Sequence, residues 1–174
     1  MQRRVKAPKR QSSGLATCTT NSFCRRRGPD QMTPMIAGYA TAWNIATHDG
    51  EGDVIGAGSF AHLIASGKFA PRMLFGHQGE EIGRWLQFSE DEIGLLAVGR
   101  LDLCSIAGRR AVEMIEAGEI TGLSRGANMV CLARPIPGTR SRYCKRVFHL
   151  GEISLVRHPA NPRALLLNYT AGTA

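Results

Sequence analysis

Residues 94–103 carry the feature that most narrowly limits the fold, an alternation of apolar and polar positions with a period of two. Such a period is typical of a β-strand that buries one face. One face of this segment carries Leu95, Ala97, Gly99, Leu101 and Leu103, and the other face carries Val98, Arg100 and Asp102. Shorter strand-like segments surround this one, and they do not alternate with helices as β-α-β units do. The sequence therefore predicts an α+β or mainly β, barrel-like domain of six or seven strands with two helices.

The other elements follow from similar patterns. Further strands are predicted at residues 35–45, 73–75, 82–88, 120–132, 143–150 and 153–156. A helix at 105–116 should end at Gly118, and a shorter helix should close the segment 54–64, with Ser59 as its candidate N-cap. Residues 48–53 and 76–81 are predicted to be loops between strands.

Most of the positive charge lies at the N-terminus. The formal net charge is +8, and residues 1–30 supply eight basic side chains against one acid, Asp30. The other residues hold fourteen basic and thirteen acidic groups, so they are nearly neutral. Residues 1–32 also have few large apolar groups to bury. We therefore predict a disordered basic arm at 1–32, a folded domain at 33–167 and a short C-terminal tail at 168–174.

Composition disfavours several classes of protein. The sequence has no window of about 18 apolar residues to span a membrane, and no apolar signal-peptide core follows the basic N-terminus. Its five cysteines include no Cys-x-x-Cys pair, and no group of Cys and His has the spacing of zinc ligands. We expect a protein of a reducing cytoplasm, with no metal, no cofactor and no membrane contact.

Two segments place reactive side chains among strands and turns. His77 follows a glycine at the end of a predicted strand, and imidazole titrates near neutrality, which suits a general base. Ser124 lies between Gly122 and Gly126, whose missing side chains would let a substrate approach a nucleophile closely. The letters Gly-x-Ser-x-Gly match the elbow of α/β-hydrolases. That motif needs a helix after the serine, however, and residues 127–132 are predicted to be extended.

A third segment begins with Glu152, which opens an apolar strand. A carboxylate is poorly solvated there and needs a partner. Orienting an imidazole is one such task, while a charge at a strand edge is the simpler interpretation.

Taken in chain order, these segments resemble the prohead (capsid maturation) protease family of tailed bacteriophages and prophages. The resemblance extends over residues 36–166 and rests on His77, Gly122-Leu-Ser124, Glu152-Ile-Ser-Leu-Val156 and Pro159-Ala-Asn-Pro162. It implies a closed β-barrel with surface helices, similar to the herpesvirus assembly proteases.

The resemblance also implies roles for individual residues. Ser124 would be the nucleophile, His77 the general base and Glu152 the group that orients His77. Herpesvirus relatives have a second histidine in the third role, so His149 and His158 remain alternatives to Glu152.

The function implied is that of a serine endopeptidase that trims scaffold and capsid proteins, and itself, as the prohead matures. It would act in the host bacterial cytoplasm, inside the immature capsid. Its partners would be the major capsid protein with its scaffold segment, the portal protein and a second copy of the chain. An oxyanion formed in the reaction would need donors, for which Arg125 and Arg157 are candidates.

Two other functions stay open at this point. One is a catalytically inactive capsid-assembly or scaffold protein on the same fold. The other is a nucleic-acid-binding protein that uses residues 3–27, because a basic arm binds phosphates by counterion release. The nearly neutral folded part argues against the latter, since a binding face normally concentrates Lys and Arg on folded structure. A solvated arm is the favoured interpretation of the charge run.

Overall fold

The computed structural model describes residues 33–47 and 52–171. The predicted arm at 1–32, most of the predicted loop at 48–53 and the last three residues lie outside this part of the chain. In chain order the elements are β1 (Met35–Ala42), β2 (Val54–Ile55), α1 (Ala61–Ala65), β3 (Arg72–Phe75), β4 (Gln78–Glu90), β5 (Gly94–Leu101), α2 (Ile106–Glu116), β6 (Gly122–Arg125), β7 (Met129–Pro135), β8 (Arg142–Leu150), β9 (Glu152–Val156) and β10 (Leu166–Thr170). Within the described ranges, no helix has the length and apolar character needed to span a membrane.

Seven strands form one sheet in the order β10-β1-β5-β4-β3-β9-β6. Neighbours are antiparallel except β3 and β9, which run parallel. The sheet curls until its edges meet, because Gly122 of β6 bridges Leu165 just before β10. The next residue, Leu123, donates its N–H to the carbonyl of Ala164 at 2.8 Å. The result is a nearly closed barrel, which confirms the predicted mainly β, barrel-like fold.

A smaller sheet, with the strand order β2-β8-β7, shares the core of the barrel. Cys144 and Val147 of β8 are fully buried and belong to the same apolar cluster as the barrel residues Met73, Leu95 and Leu101. Both sheets are therefore held together by one hydrophobic core, whose burial is the main force that stabilises the fold.

Strand β5 shows the alternation that the sequence predicts. It buries Leu95, Ala97, Gly99 and Leu101, and the positions between them are half-exposed. Its backbone pairs with β1 on one side and with β4 on the other. One face of this central strand thus supports the core, as a period of two requires.

The helix α2 also forms where it was predicted. The hydroxyl of its N-cap, Ser105, accepts the N–H of Gly108 at 2.8 Å, and Gly118 follows the helix end with a φ of 71°. The prediction that Ser59 caps the shorter helix is wrong. Ser59 is fully buried, and its hydroxyl lies within hydrogen-bond distance of the carbonyls of Gly56 and Cys144. The helix α1 begins after Phe60 without a side-chain cap.

Three boundaries differ from the predictions. The predicted loop at 76–81 is a two-residue turn, because Gly76 and His77 both adopt a positive φ and β4 begins at Gln78. The predicted strand at 120–132 is two strands in different sheets, separated by residues 126–128. Strand β10, which was not predicted, pairs with β1 and extends through Thr170, beyond the predicted domain end at 167.

Candidate active site

His77 occupies the tight turn that joins β3 to β4. Its φ is 67°, and that of Gly76 is 57°, which are the left-handed values that a two-residue hairpin turn of type I′ requires. A non-glycine residue in this left-handed region of φ costs of order 1–3 kcal/mol of folding free energy, and the conformation persists only where neighbours stabilise it. Here the N–H of Gly76 donates to the carbonyl of Leu155 at 3.0 Å, and the N–H of His77 donates to the hydroxyl of Ser154 at 3.1 Å. Both acceptors lie on β9.

Ser124 lies on β6, which pairs with β9 on one side. The residue is 8% exposed, and among the described residues its hydroxyl makes a long contact of 3.5 Å with the carbonyl of Arg125. A cavity of about 510 Å³ opens beside it, and His77 and Glu152 line the same cavity. The structure therefore brings all three predicted catalytic side chains to one site.

His77 and Glu152 form a close pair. The distance from His77 Nδ1 to Glu152 Oε1 is 2.7 Å, with the histidine side chain 42% exposed and the carboxylate only 8% exposed. The hydrogen bond to Glu152 raises the pKa of His77, the negative charge of the carboxylate adds to this, and partial burial opposes it. An ionised carboxylate only accepts hydrogen bonds, so this contact assigns the ring proton to Nδ1 and leaves the Nε2 lone pair available.

The two glycines that flank Ser124 are required by the packing of the protein itself. A Cβ on Gly126 would overlap the carboxyl group of Glu152, and a Cβ on Gly122 would overlap the carbonyl of Ala164. The sequence interpretation, in which both glycines open a path for substrate, does not account for these contacts within the protein. Gly126 lets the carboxylate lie against the strand that carries Ser124.

The two arginines predicted as oxyanion donors lie in different surroundings. Arg125 lines the cavity, and its Nη2 donates to the carbonyl of Asp53 at 3.0 Å. Burial lowers the pKa of Arg125, and the charge of Asp53 acts in the opposite direction. The carboxylate of Asp53 in turn accepts two hydrogen bonds from Arg142, at 2.8 and 2.9 Å. Arg157 is paired with Glu119 at 2.6 Å and is not among the residues that line the cavity.

The alternative third residues are both exposed. His149 is an exposed residue of β8, and His158 is exposed just after β9. Neither lines the cavity. Among the described residues, the carboxylate of Glu152 is the partner that the structure gives to the ring of His77.

Sequence reasoning missed three residues that organise the site. Ser154 bonds to both His77 and Glu152, and its position two residues after Glu152 on a strand was the signal that could have indicated it. Asp53 holds Arg125 from a distant loop, for which the sequence offers no signal. Asn161 donates to the carbonyl of Ala42 at 2.9 Å, which ties the Pro-Ala-Asn-Pro segment to β1.

Chemically, the described residues combine here a hydroxyl, an imidazole and a buried carboxylate in contact with Nδ1 of that imidazole. This set of groups is the one used for nucleophilic acyl transfer. In the described part of the chain, no three His, Cys, Asp or Glu side chains lie close enough together to share a metal ion.

Comparison with known families agrees with this chemistry. The sequence profile of the family described as "Caudovirus prohead serine protease" matches residues 22–170, which is most of the chain. The chain belongs to the caudovirus prohead serine protease family. Membership in this prohead protease family confirms the predicted enzyme class, a serine peptidase.

A solved structure similar to this prohead protease is that of the KSHV protease, a herpesvirus protease in complex with a hexapeptide phosphonate inhibitor. The two chains are 12% identical with a TM-score of 0.47, and the match covers 80% of this chain and 66% of the other. The chain thus spans about two thirds of the length of the KSHV protease. No curated protein matches the sequence.

Proposed function

We propose that Ser124, His77 and Glu152 form a catalytic triad with which this prohead protease cleaves the major capsid protein with its scaffold segment, and its own basic arm. The observation that carries the proposal is the 2.7 Å contact between His77 Nδ1 and Glu152 Oε1 beside the cavity that Ser124 lines. A buried carboxylate on Nδ1 holds the imidazole in the tautomer that a general base needs.

In the proposed reaction, Ser124 Oγ attacks the scissile carbonyl carbon while its proton passes to Nε2 of His77. The carbonyl oxygen becomes an oxyanion. When the C–N bond breaks, Nε2 gives the proton to the departing amine and an ester remains on Ser124. A water molecule then attacks the ester, again losing a proton to Nε2, and the serine recovers that proton as the carboxylic product leaves. Throughout, the charge of Glu152 stabilises the imidazolium.

Arg125 is the side chain that we propose as an oxyanion donor. It follows the nucleophile directly and lines the cavity, and one of its nitrogens is held by the carbonyl of Asp53. A preorganised cation in a water-poor site stabilises developing negative charge more strongly than it would in water. The pairing of Arg157 with Glu119 outside the cavity favours Arg125 over Arg157.

Glu152 is proposed as the third residue in preference to His149 and His158, because it contacts His77 directly. The portal protein and a second copy of the chain are further partners that we propose on the resemblance to the family alone. Contact of residues 3–27 with nucleic acid is not favoured.

A fluorophosphonate tests the triad without knowledge of the natural substrate, because it phosphonylates serines that a neighbouring base activates. We expect mass spectrometry to find the label on Ser124 of the wild type and to find none in Ser124→Ala or His77→Ala. Ser66→Ala is the matched control, since Ser66 is an exposed serine whose hydroxyl bonds to nearby backbone groups, the carbonyl of Leu63 and the N–H of Lys68. It should be labelled like the wild type.

Co-expression with the major capsid protein tests the substrate. The wild type should shorten the capsid protein, and Ser124→Ala should leave it at full length. Full-length capsid protein in both cultures would contradict the proposed substrate, and an unlabelled wild-type Ser124 would contradict the triad and favour the inactive assembly protein.

A further inference from the structure

We propose that Ser154 is a positioning residue whose single hydroxyl group fixes the carboxylate of Glu152 relative to the backbone of His77. The proposal rests on the proposed function and goes beyond it, because it concerns a residue outside the triad. Ser154 is fully buried in the centre of β9, between β3, which precedes the turn that carries His77, and β6, which carries Ser124.

The directions of the two hydrogen bonds follow from the chemistry of the partners. The backbone N–H of His77 can only donate, so the oxygen of Ser154 must accept there, at 3.1 Å. The hydroxyl proton is then directed at Glu152 Oε2, at 2.5 Å, and an ionised carboxylate can accept it. The single hydroxyl group thus connects the backbone of the base with the side chain of the acid.

These two hydrogen bonds restrict the movement of His77 and Glu152 relative to each other. Glu152 Oε1 receives His77 Nδ1 and Oε2 receives Ser154, so both carboxylate oxygens have a fixed partner. Hydrogen bonds to an ionised group are shorter and stronger than neutral ones. The bond to the N–H of His77 also holds that residue in its left-handed conformation. Ser154 therefore positions both of the residues that meet in the contact between His77 and Glu152.

The hydroxyl at this position serves two polar groups at once. An apolar side chain of similar size would leave the N–H of His77 and one carboxylate oxygen of Glu152 without this partner. Both partners of Ser154 are groups of the proposed triad. The hydroxyl is therefore explained by the geometry of the site.

The test measures the rate at which a fluorophosphonate labels Ser124, as a function of pH, in the wild type and Ser154→Ala. We expect the rate at pH 7.5 to fall about 10- to 100-fold, as is usual when the support of a catalytic group is lost. The acid limb of the pH profile should also move to lower pH, because a weaker contact with Glu152 raises the pKa of His77 less. A purely structural role would not move this limb.

Ser59→Ala is the matched control. Ser59 is also fully buried and its hydroxyl also has two partners, but both are backbone carbonyls away from the cavity. Ser59→Ala should lower the melting temperature and leave the pH profile of labelling at the wild-type position. Labelling of Ser154→Ala at the wild-type rate and with the wild-type profile, or an equal change in both variants, would overturn the proposal.

A second pair of variants covers the case in which Ser154→Ala does not fold. Ser154→Thr and Ser154→Val have the same shape and differ in the hydroxyl, so labelling by the threonine variant but not by the valine variant supports the proposal. Equal labelling of the two overturns it. Failure of the proposed function is distinguishable, because the wild type itself would then remain unlabelled at Ser124.

Discussion

Ser124 and Ser154 lie directly opposite each other in the antiparallel pair of β6 and β9. Side chains that are opposite in such a pair project from the same face of the sheet, and Glu152, two residues from Ser154 on the same strand, shares that face. On the other side of β9, the parallel strand β3 ends at the turn that carries His77. Three adjacent strands thus bring the three residues of the proposed triad to one place.

Replacing Gly126 with alanine should reduce activity through Glu152. The added Cβ would overlap the carboxyl group, so the carboxylate must move from His77, and we expect the rate of fluorophosphonate labelling to fall about tenfold or more. Gly151→Ala is the control, because a Cβ at this neighbouring position meets nothing nearer than 3.6 Å. Equal labelling rates for the two variants, measured well below their melting temperatures, would contradict this account.

The pH dependence of activity should follow from the raised pKa of His77. A general base acts in its neutral form, so the acid limb of the kcat/KM profile should lie above the ordinary histidine value of 6.5. Glu152→Gln weakens the hydrogen bond that raises this pKa and removes the charge that adds to it, so the limb should move toward lower pH while kcat falls. A limb at the same pH in both proteins would show that Glu152 does not act on His77.

The raised pKa of His77 also predicts how stability depends on pH. Activity should increase as the pH rises, whereas the contribution of His77 to stability should decrease. Because the folded-state pKa of His77 is raised, its protonation stabilises the folded protein fully below the unfolded value, about 6.5. That contribution is lost as the pH rises through the folded-state pKa. In melting curves, His77→Ala should therefore lose more stability relative to the wild type at pH 6 than at pH 9. A difference that does not depend on pH would argue against the pair.

Arg125 and Arg157 should differ in their effect on catalysis. Lysine keeps the charge but not the planar donor group, so Arg125→Lys should lower kcat by about 10- to 100-fold with little change in KM. Arg157→Lys should stay within about twofold of the wild type, because Arg157 pairs with Glu119 outside the cavity. A larger loss for the Arg157 variant would reverse the assignment.

The C-terminal boundary can be tested by truncation. A chain that ends at residue 167 lacks most of β10, including Tyr169, which packs on the core and donates to Glu116 at 2.8 Å. We expect it to lose about 2 kcal/mol or more of unfolding free energy, or roughly 4 °C or more in Tm. A chain that ends at residue 171 keeps the whole strand and should melt like the full chain. Equal melting temperatures for the two truncations would support the boundary predicted from the sequence.

Local patterns along the chain were sufficient for the class of fold and for several elements. The alternation in β5 and the end of α2 at Gly118 could be read directly, because strand burial and helix termination depend on residues close together in sequence. The sequence also singled out His77, Ser124 and Glu152 as candidate site residues, and the structure places all three around one cavity. Strand β10 was missed because its few residues have no strong alternation of their own.

The contacts that make the site are decided by the order and register of strands from distant parts of the chain. The sheet order β3-β9-β6 places His77 beside residues that follow it by about 75 positions, and periodicity says nothing about which strands become neighbours. For this reason the sequence indicated Ser124 as a nucleophile but assigned its flanking glycines to substrate. The tertiary structure assigns Gly126 to the carboxylate of Glu152 and reveals Ser154, because side chains meet through packing across strands.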